Sequence, residues 1–284
     1  MKKKKNQGIQ VPKPIIYLAK TIAFISKDWA TSLSARLFTT PIKHKTPKRE
    51  LNMLKLAQQE WLTVPSINKT VRVYQYGQSS KKVLLVHGWS GRGTQLYKIA
   101  DALLQQGYST ISYDAPAHGQ SDTKTTLMPE FIATNFELEQ KYGPFEFAIG
   151  HSLGGMSLLN SVKRGFPVKK LIVIGSADRI IDILHNFVNV LRLKPIIAEK
   201  MKDRFEKNFG EPLHNYDAAR AALEVNIPTL VIHDIDDFEV PIQCGLAIHK
   251  NLKQGDFFQT KRLGHRKILG DDKVIEKIIS YIQA

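Results

Sequence analysis

Apolar residues along this chain fall into two alternating textures. Compact runs at Lys82–Val86, 145–149, 170–174 and 229–233 are almost continuously apolar, as strands buried on both faces must be. Residues 109–113 and 257–261 are read as two further strands. Between them lie stretches with apolar residues at three- and four-residue steps, which predict helices over 94–106, 128–142 and 272–282, the first ended by Gly107. Residues 70–76 alternate instead, with Val71, Val73 and Gln75 against Arg72, Tyr74 and Tyr76, the pattern of a half-buried strand. Strands alternating with helices predict a doubly wound, mostly parallel α/β sheet.

Two stretches stand outside this rhythm. Residues 179–225 contain no strand-like run but carry paired apolar positions, Ile180-Ile181, Ile183-Leu184, Phe187-Val188 and Val190-Leu191. A structureless loop of that length is unusual, so a helical cap is expected there. At the other end, Ile15, Leu18, Ile22, Ile25, Trp29 and Leu33 recur as one face of a helix, with Lys20, Lys27, Asp28 and Thr31 opposite. Pro41 and Pro47 mark 39–49 as a linker, and 51–62 reads as a short helix. The expected organisation is an N-terminal basic, amphipathic arm (1–50), a core (51–178 and 227–284) and a cap (179–226).

Charge changes the reading of the arm. The chain carries a formal +15, and residues 1–50 hold twelve Lys and Arg against Asp28 and Glu50, a net +10. No basic face interleaved with aromatics accompanies it, so nucleic acid is not an expected partner. Lys20 interrupts the apolar run, which excludes a span of ~20 apolar residues. No A-x-A site follows that would suit a cleaved export signal. The readings left are a helix packed on the protein's own surface or a partner, residues 1–40 in peripheral contact with an anionic membrane, and, last, a cleaved export signal. The expected location is cytoplasmic, with membrane association through the arm as the open variant. A single cysteine, Cys244, leaves neither an internal disulfide nor a cysteine-rich metal site.

Gly150-His151-Ser152-Leu153-Gly154 follows the apolar run 145–149 and precedes a helical pattern. It fits the G-x-S-x-G elbow, in which a strand turns sharply into a helix at the nucleophile. A serine hydroxyl needs a neighbouring base, the base needs an orienting acid, and the tetrahedral intermediate needs hydrogen-bond donors.

From residue 71 onward the chain resembles the α/β-hydrolase superfamily. The resemblance rests on the elbow and on His87-Gly88-Trp89 after the first core strand. It rests also on the turn from Asp114 to Ser121, on the segment from Val231 to Pro241, and on Gly264-His265-Arg266. It implies Ser152 as nucleophile, His265 as base and Asp237 as acid, in the family's order. It also implies backbone donors at Trp89 and Leu153. Asp234 stands where the family usually has a glycine; Asp234, Asp236 and, after an earlier strand, Asp178 remain alternatives for the acid. His87, His118 and His151 lie in turn motifs and read as structural; His233 reads as a neighbour of the acid loop. Serine at the elbow separates the chain from relatives with an aspartate nucleophile.

The implied activity is a cofactor-independent serine hydrolase acting on a small ester or thioester. A non-enzymatic ligand-binding or scaffolding protein, an acyltransferase and a cofactor-free haloperoxidase are the alternatives. No H-E-x-x-H is present, and Gly88, Gly91 and Gly93 do not form a phosphate loop, so no metal or cofactor is expected.

Overall fold

The computed structural model describes residues 11–284. Its centre is one eight-stranded sheet of β1 (Gln58–Val64), β2 (Lys69–Tyr76), β3 (Lys82–Val86), β4 (Ser109–Asp114), β5 (Phe145–His151), β6 (Lys170–Ile174), β7 (Thr229–Asp234) and β8 (Gly255–Thr260). They lie in the order β1-β2-β4-β3-β5-β6-β7-β8. β1 and β2 pair antiparallel, as do β2 and β4; every other neighbouring pair is parallel. Side chains of β3 alternate between two apolar layers, Leu84 and Val86 entering one, Val83 and Leu85 the other. Both faces are therefore covered, which is why the parallel strands read as continuous apolar runs.

Twelve helices surround the sheet or precede it among the described residues: α1 (Lys13–Ile25), α2 (Lys27–Phe38), α3 (Leu51–Leu56), α4 (Tyr97–Gln105), α5 (Met128–Tyr142), α6 (Leu153–Lys163), α7 (Ile180–Val190), α8 (Ile196–Phe209), α9 (Ala218–Ala222), α10 (Ile242–Asn251), α11 (Gly264–Lys267) and α12 (Asp272–Gln283). α4 and α12 close one face through Ile99, Leu103, Val274 and Ile278. α5 and α6 close the other through Phe131, Leu138, Leu158 and Leu159. The stretch 179–226 carries α7, α8 and α9, whose Leu184, Phe187, Val188, Met201 and Phe205 join that second layer.

Two expectations are corrected. The helix expected over 51–62 stops at Leu56, and Gln58 to Leu62 belong to β1, with Leu62 opposite Val71. Leu62 and Val64 are buried while Trp61 and Thr63 are not, an alternation that extends past the stretch read as a helix. At the arm, the apolar face from Ile15 to Leu33 is not one helix face. Ser26 adopts extended backbone, and its hydroxyl accepts the Trp29 N–H at 3.3 Å, ending α1 and capping α2. Of the six residues of that face, Leu18, Ile25 and Trp29 are exposed, while Ile15, Ile22 and Leu33 are half-buried. α2 instead buries small residues, Ala30, Thr31, Ser34 and Ala35. It packs on α8, where Lys200 Nζ donates to Asp28 at 2.8 Å and Arg204 donates to Ser32 Oγ at 2.8 Å. The four lysines at 2–5 lie outside the described residues. No helix among the described residues is long and apolar enough to cross a membrane.

Candidate active site

The ends of β3, β5, β6 and β7 converge where ligands bind in open parallel sheets, beyond the carboxyl ends of the strands. Between β5 and α6, Ser152 is held at φ 53°, ψ −120°, a conformation disfavoured for any residue with a side chain. The turn is fixed from outside. Ser152 N donates to Ile174 O at 2.8 Å, and Ser176 Oγ donates to Ser152 O at 2.8 Å. A Cβ on Gly150 would lie 2.6 Å from the backbone of Gly154, so the crossing of strand and helix requires glycine there. The Ser152 hydroxyl does not cap α6 and is only partly buried.

Asp237, in the loop after β7, and His265, in α11, meet across 28 positions of sequence, His265 Nδ1 lying 2.7 Å from Asp237 Oδ2. Both are buried, at 6% and 7% exposure. The other carboxylate oxygen, Oδ1, accepts the N–H groups of Glu239 and Val240 at 2.9 Å each. One oxygen therefore anchors Asp237 and the other faces the imidazole. With Nδ1–H donating, Nε2 of His265 is left as an acceptor.

His151, the residue before Ser152, ties the elbow to the His265 loop. Its Nε2–H donates to His265 O at 2.9 Å, and the two rings lie 4.6 Å apart. Burial, with the neighbouring His265 adding to it, pushes the His151 imidazole well below its usual range and keeps it neutral. This bridge was not apparent in the sequence, where His151 sits inside a turn motif.

Among the described residues, Asp237 alone of the four candidate acids bonds His265. Asp236 accepts the Arg262 N–H at 3.0 Å. Asp178 lies beside Cys244, whose thiol is pushed up to about 12 by burial and then by Asp178. Asp234, fully buried at the end of β7, takes another part. Its Oδ1 accepts from Gly264 N at 2.9 Å and Asp236 N at 3.0 Å. Its Oδ2 accepts from Thr260 Oγ1 at 2.7 Å and Leu263 N at 3.1 Å. Burial raises the carboxyl, but these donors, led by Gly264 N, outweigh it and hold it below the ordinary range. Asp234 thus pins both the acid loop and the loop that delivers His265. The signal available in the sequence was an acid ending an apolar strand, a place where a carboxylate must find partners.

Opposite the elbow, a Cβ on Gly88 would stand 2.9 Å from Ser152 Cβ, so the 87–91 loop passes directly over Ser152. Leu153 is the first residue of α6 and has no acceptor within the helix. Neither its N–H nor that of Trp89 donates to a protein acceptor among the described residues. Two buried histidines hold the loop. Ala115 N donates to His87 Nε2 at 2.9 Å, and Ser90 N donates to His118 Nε2 at 3.0 Å. Both rings must then be neutral, donating through Nδ1 to Gly88 O at 2.7 Å and Pro116 O at 3.0 Å. Burial is the main cause that depresses both, His87 to about 4. Above them, Trp89 stacks with Phe38 at 6.3 Å, and Phe38 meets Phe187 at 5.3 Å and Phe205 at 6.0 Å. The end of α2, helices α7 and α8 and the 87–91 loop therefore share one aromatic cluster.

A family model described as the alpha/beta hydrolase fold matches residues 81–230. The uncharacterized hydrolase YugF of Bacillus subtilis (strain 168) is 21% identical over 255 residues, covering 72% of this chain and 89% of the relative. The lysophosphatidylserine lipase ABHD12 of Danio rerio is 29% identical over 192 residues, covering 61% of this chain and 47% of the relative, about half its length. Among solved structures, an esterase from Exiguobacterium antarcticum superposes with a TM-score of 0.63 at 18% identity, over 80% of this chain and 100% of that one. A putative lipase from Acinetobacter baumannii AYE gives 0.63 at 19% identity, over 83% and 94%. At these identities the structures share the fold.

Proposed function

The chain belongs to the alpha/beta hydrolase fold family, and from that premise we propose that it is a serine hydrolase that cleaves an ester or thioester through an acyl-enzyme on Ser152. The observation that carries this reading is the Asp237–His265 pair at 2.7 Å, joined through His151 to a strained serine elbow. Ser152 Oγ attacks the acyl carbon while its proton passes to His265 Nε2. The carbonyl electron pair moves onto oxygen, where the N–H groups of Trp89 and Leu153 receive it. Collapse breaks the bond to the leaving group, which takes the proton back from His265. Water then repeats the sequence on the acyl-enzyme and releases the acid. Asp237 accepts the Nδ1–H of His265 and so orients the ring with Nε2 available to the serine proton. None of these steps calls for a cofactor.

Turnover of p-nitrophenyl esters of increasing chain length tests the reading. The Ser152→Ala protein should lose turnover while keeping its circular dichroism spectrum and melting temperature. Unchanged turnover in that variant overturns the assignment.

A further inference from the structure

Helix α1 is apolar on two opposite sides. Ile15, Ile16, Ala19, Ile22 and Ala23 form its inner face, and Ile22 and Ala23 pack against the main core. Tyr17, Leu18, Phe24 and Ile25 stand on the other face, at i, i+1, i+7 and i+8, with Thr21 between them at i+4. They are 66%, 53%, 93% and 66% exposed, and Trp29 in the first turn of α2 adds a fifth large apolar group at 65%. A helix apolar all round needs a second burial partner. This patch concentrates five large apolar side chains within thirteen residues, well beyond scattered surface hydrophobics.

Its surroundings identify that partner. Lys13, Lys20 and Lys27 are exposed around the patch, and none pairs with a carboxylate among the described residues. The nearest acid in sequence, Asp28, is engaged by Lys200 at 2.8 Å. The sequence before α1 adds Lys2, Lys3, Lys4 and Lys5. At thirteen residues α1 is too short to span a bilayer. We propose that the outer face of α1, with the first turn of α2, docks on an anionic lipid surface, with Phe24, Ile25 and Trp29 entering the headgroup region and the lysines facing lipid phosphates. The face that docks is opposite the one that packs, so binding leaves the fold unchanged. α2 then leads from Trp29 at the bilayer to Phe38 beside Trp89, nine residues or about 14 Å of helix. The inference is independent of the chemistry at Ser152 and can be read on the Ser152→Ala protein.

Flotation of the full chain with vesicles of phosphatidylcholine alone, or with one third phosphatidylglycerol, tests it, together with the emission maximum of Trp29 (followed as the difference from Trp29→Phe). Binding is expected to the anionic vesicles, with a blue shift belonging to Trp29, and to weaken as salt is raised. Phe24→Asp/Ile25→Asp should weaken it at least ~10-fold, and Lys13→Glu/Lys20→Glu/Lys27→Glu at least ~100-fold, given about 1 kcal/mol for each of the three lysines and 1.4 kcal/mol per tenfold. All of these positions are exposed, so hydrolysis of a soluble ester should not change. Absence of binding to anionic vesicles at low salt overturns the proposal, as does binding that neither set of substitutions alters. If Phe24→Asp/Ile25→Asp instead converts a dimer to a monomer in solution and leaves vesicle binding intact, a second copy covers the patch and the proposal is wrong.

Discussion

Replacing Asp237 by Asn keeps the shape of the side chain and changes one atom. Which atom then faces His265 is decided by the anchor, because Oδ1 accepts the N–H groups of Glu239 and Val240 at 2.9 Å. Asn must keep its carbonyl oxygen there; turning the NH₂ toward two N–H donors sacrifices two hydrogen bonds at about 1 kcal/mol each and adds repulsion. The NH₂ group is therefore presented to His265 Nδ1, which must accept. The imidazole changes tautomer, its Nε2 carries the proton, and it cannot take one from Ser152. In a Ser-His-Asp relay this error costs ~10⁴ in rate, about 5.5 kcal/mol of barrier. The assay is kcat/KM for p-nitrophenyl acetate, beside Asp236→Asn and Asp178→Asn, which should each stay within about tenfold of the parent because neither acid bonds His265. A loss below tenfold in Asp237→Asn, or a larger loss in Asp178→Asn, refutes the reasoning.

Other outcomes follow from neighbouring groups. Asp234→Asn weakens the four hydrogen bonds that tie Asp236, Thr260 and the 263–264 segment ahead of His265 together, and should cost about 2–4 kcal/mol in urea unfolding at neutral pH. Because the folded carboxyl is held below its ordinary range, that stabilisation is present above about pH 4 and is lost as pH falls through the folded value; a parent–variant difference unchanged at low pH argues against the clamp. Gly88→Ala sets a methyl group 2.9 Å from Ser152 Cβ and 3.2 Å from His151 O, so the loop or the elbow must shift; ester turnover should be abolished and stability lowered by about 1–3 kcal/mol, and retained turnover would mean that the 87–91 loop lies elsewhere. His87 titrates near 4 folded against 6.5 unfolded, so the unfolded chain binds the proton first and stability falls as pH drops from 6.5 to 4, by about 2 kcal/mol at pH 5 for this group. The stability difference between parent and His87→Gln should shrink by that amount between pH 7 and pH 5, and a constant difference contradicts a buried neutral ring.

What the sequence disclosed follows from how each part is held. β3, β5, β6 and β7 are buried on both faces, so their apolar runs are unbroken and identify themselves. β1 sits at the edge with only Leu62 and Val64 buried, too short an alternation to outweigh the helical spacing before it. The break at Ser26 is masked because the step from Ile25 to Trp29 to Leu33 continues across it. The face that α2 buries is made of Ala30, Ser34 and Ala35, which carry little hydrophobic signal. At the candidate site, a five-residue motif marks Ser152 locally, whereas the His151–His265 bridge joins residues 114 positions apart and Asp234 acts through amides of a distant loop. Such contacts belong to the folded chain and leave no local pattern.

The central claim, nucleophilic attack by Ser152, is tested most directly by where a fluorophosphonate reacts. Peptide mass mapping of the labelled full chain should find one phosphonyl adduct, on the peptide that contains Ser152. Ser152→Ala should carry none, and His265→Gln should label far more slowly. An adduct on another serine, or equal labelling of the Ser152→Ala protein, contradicts the account.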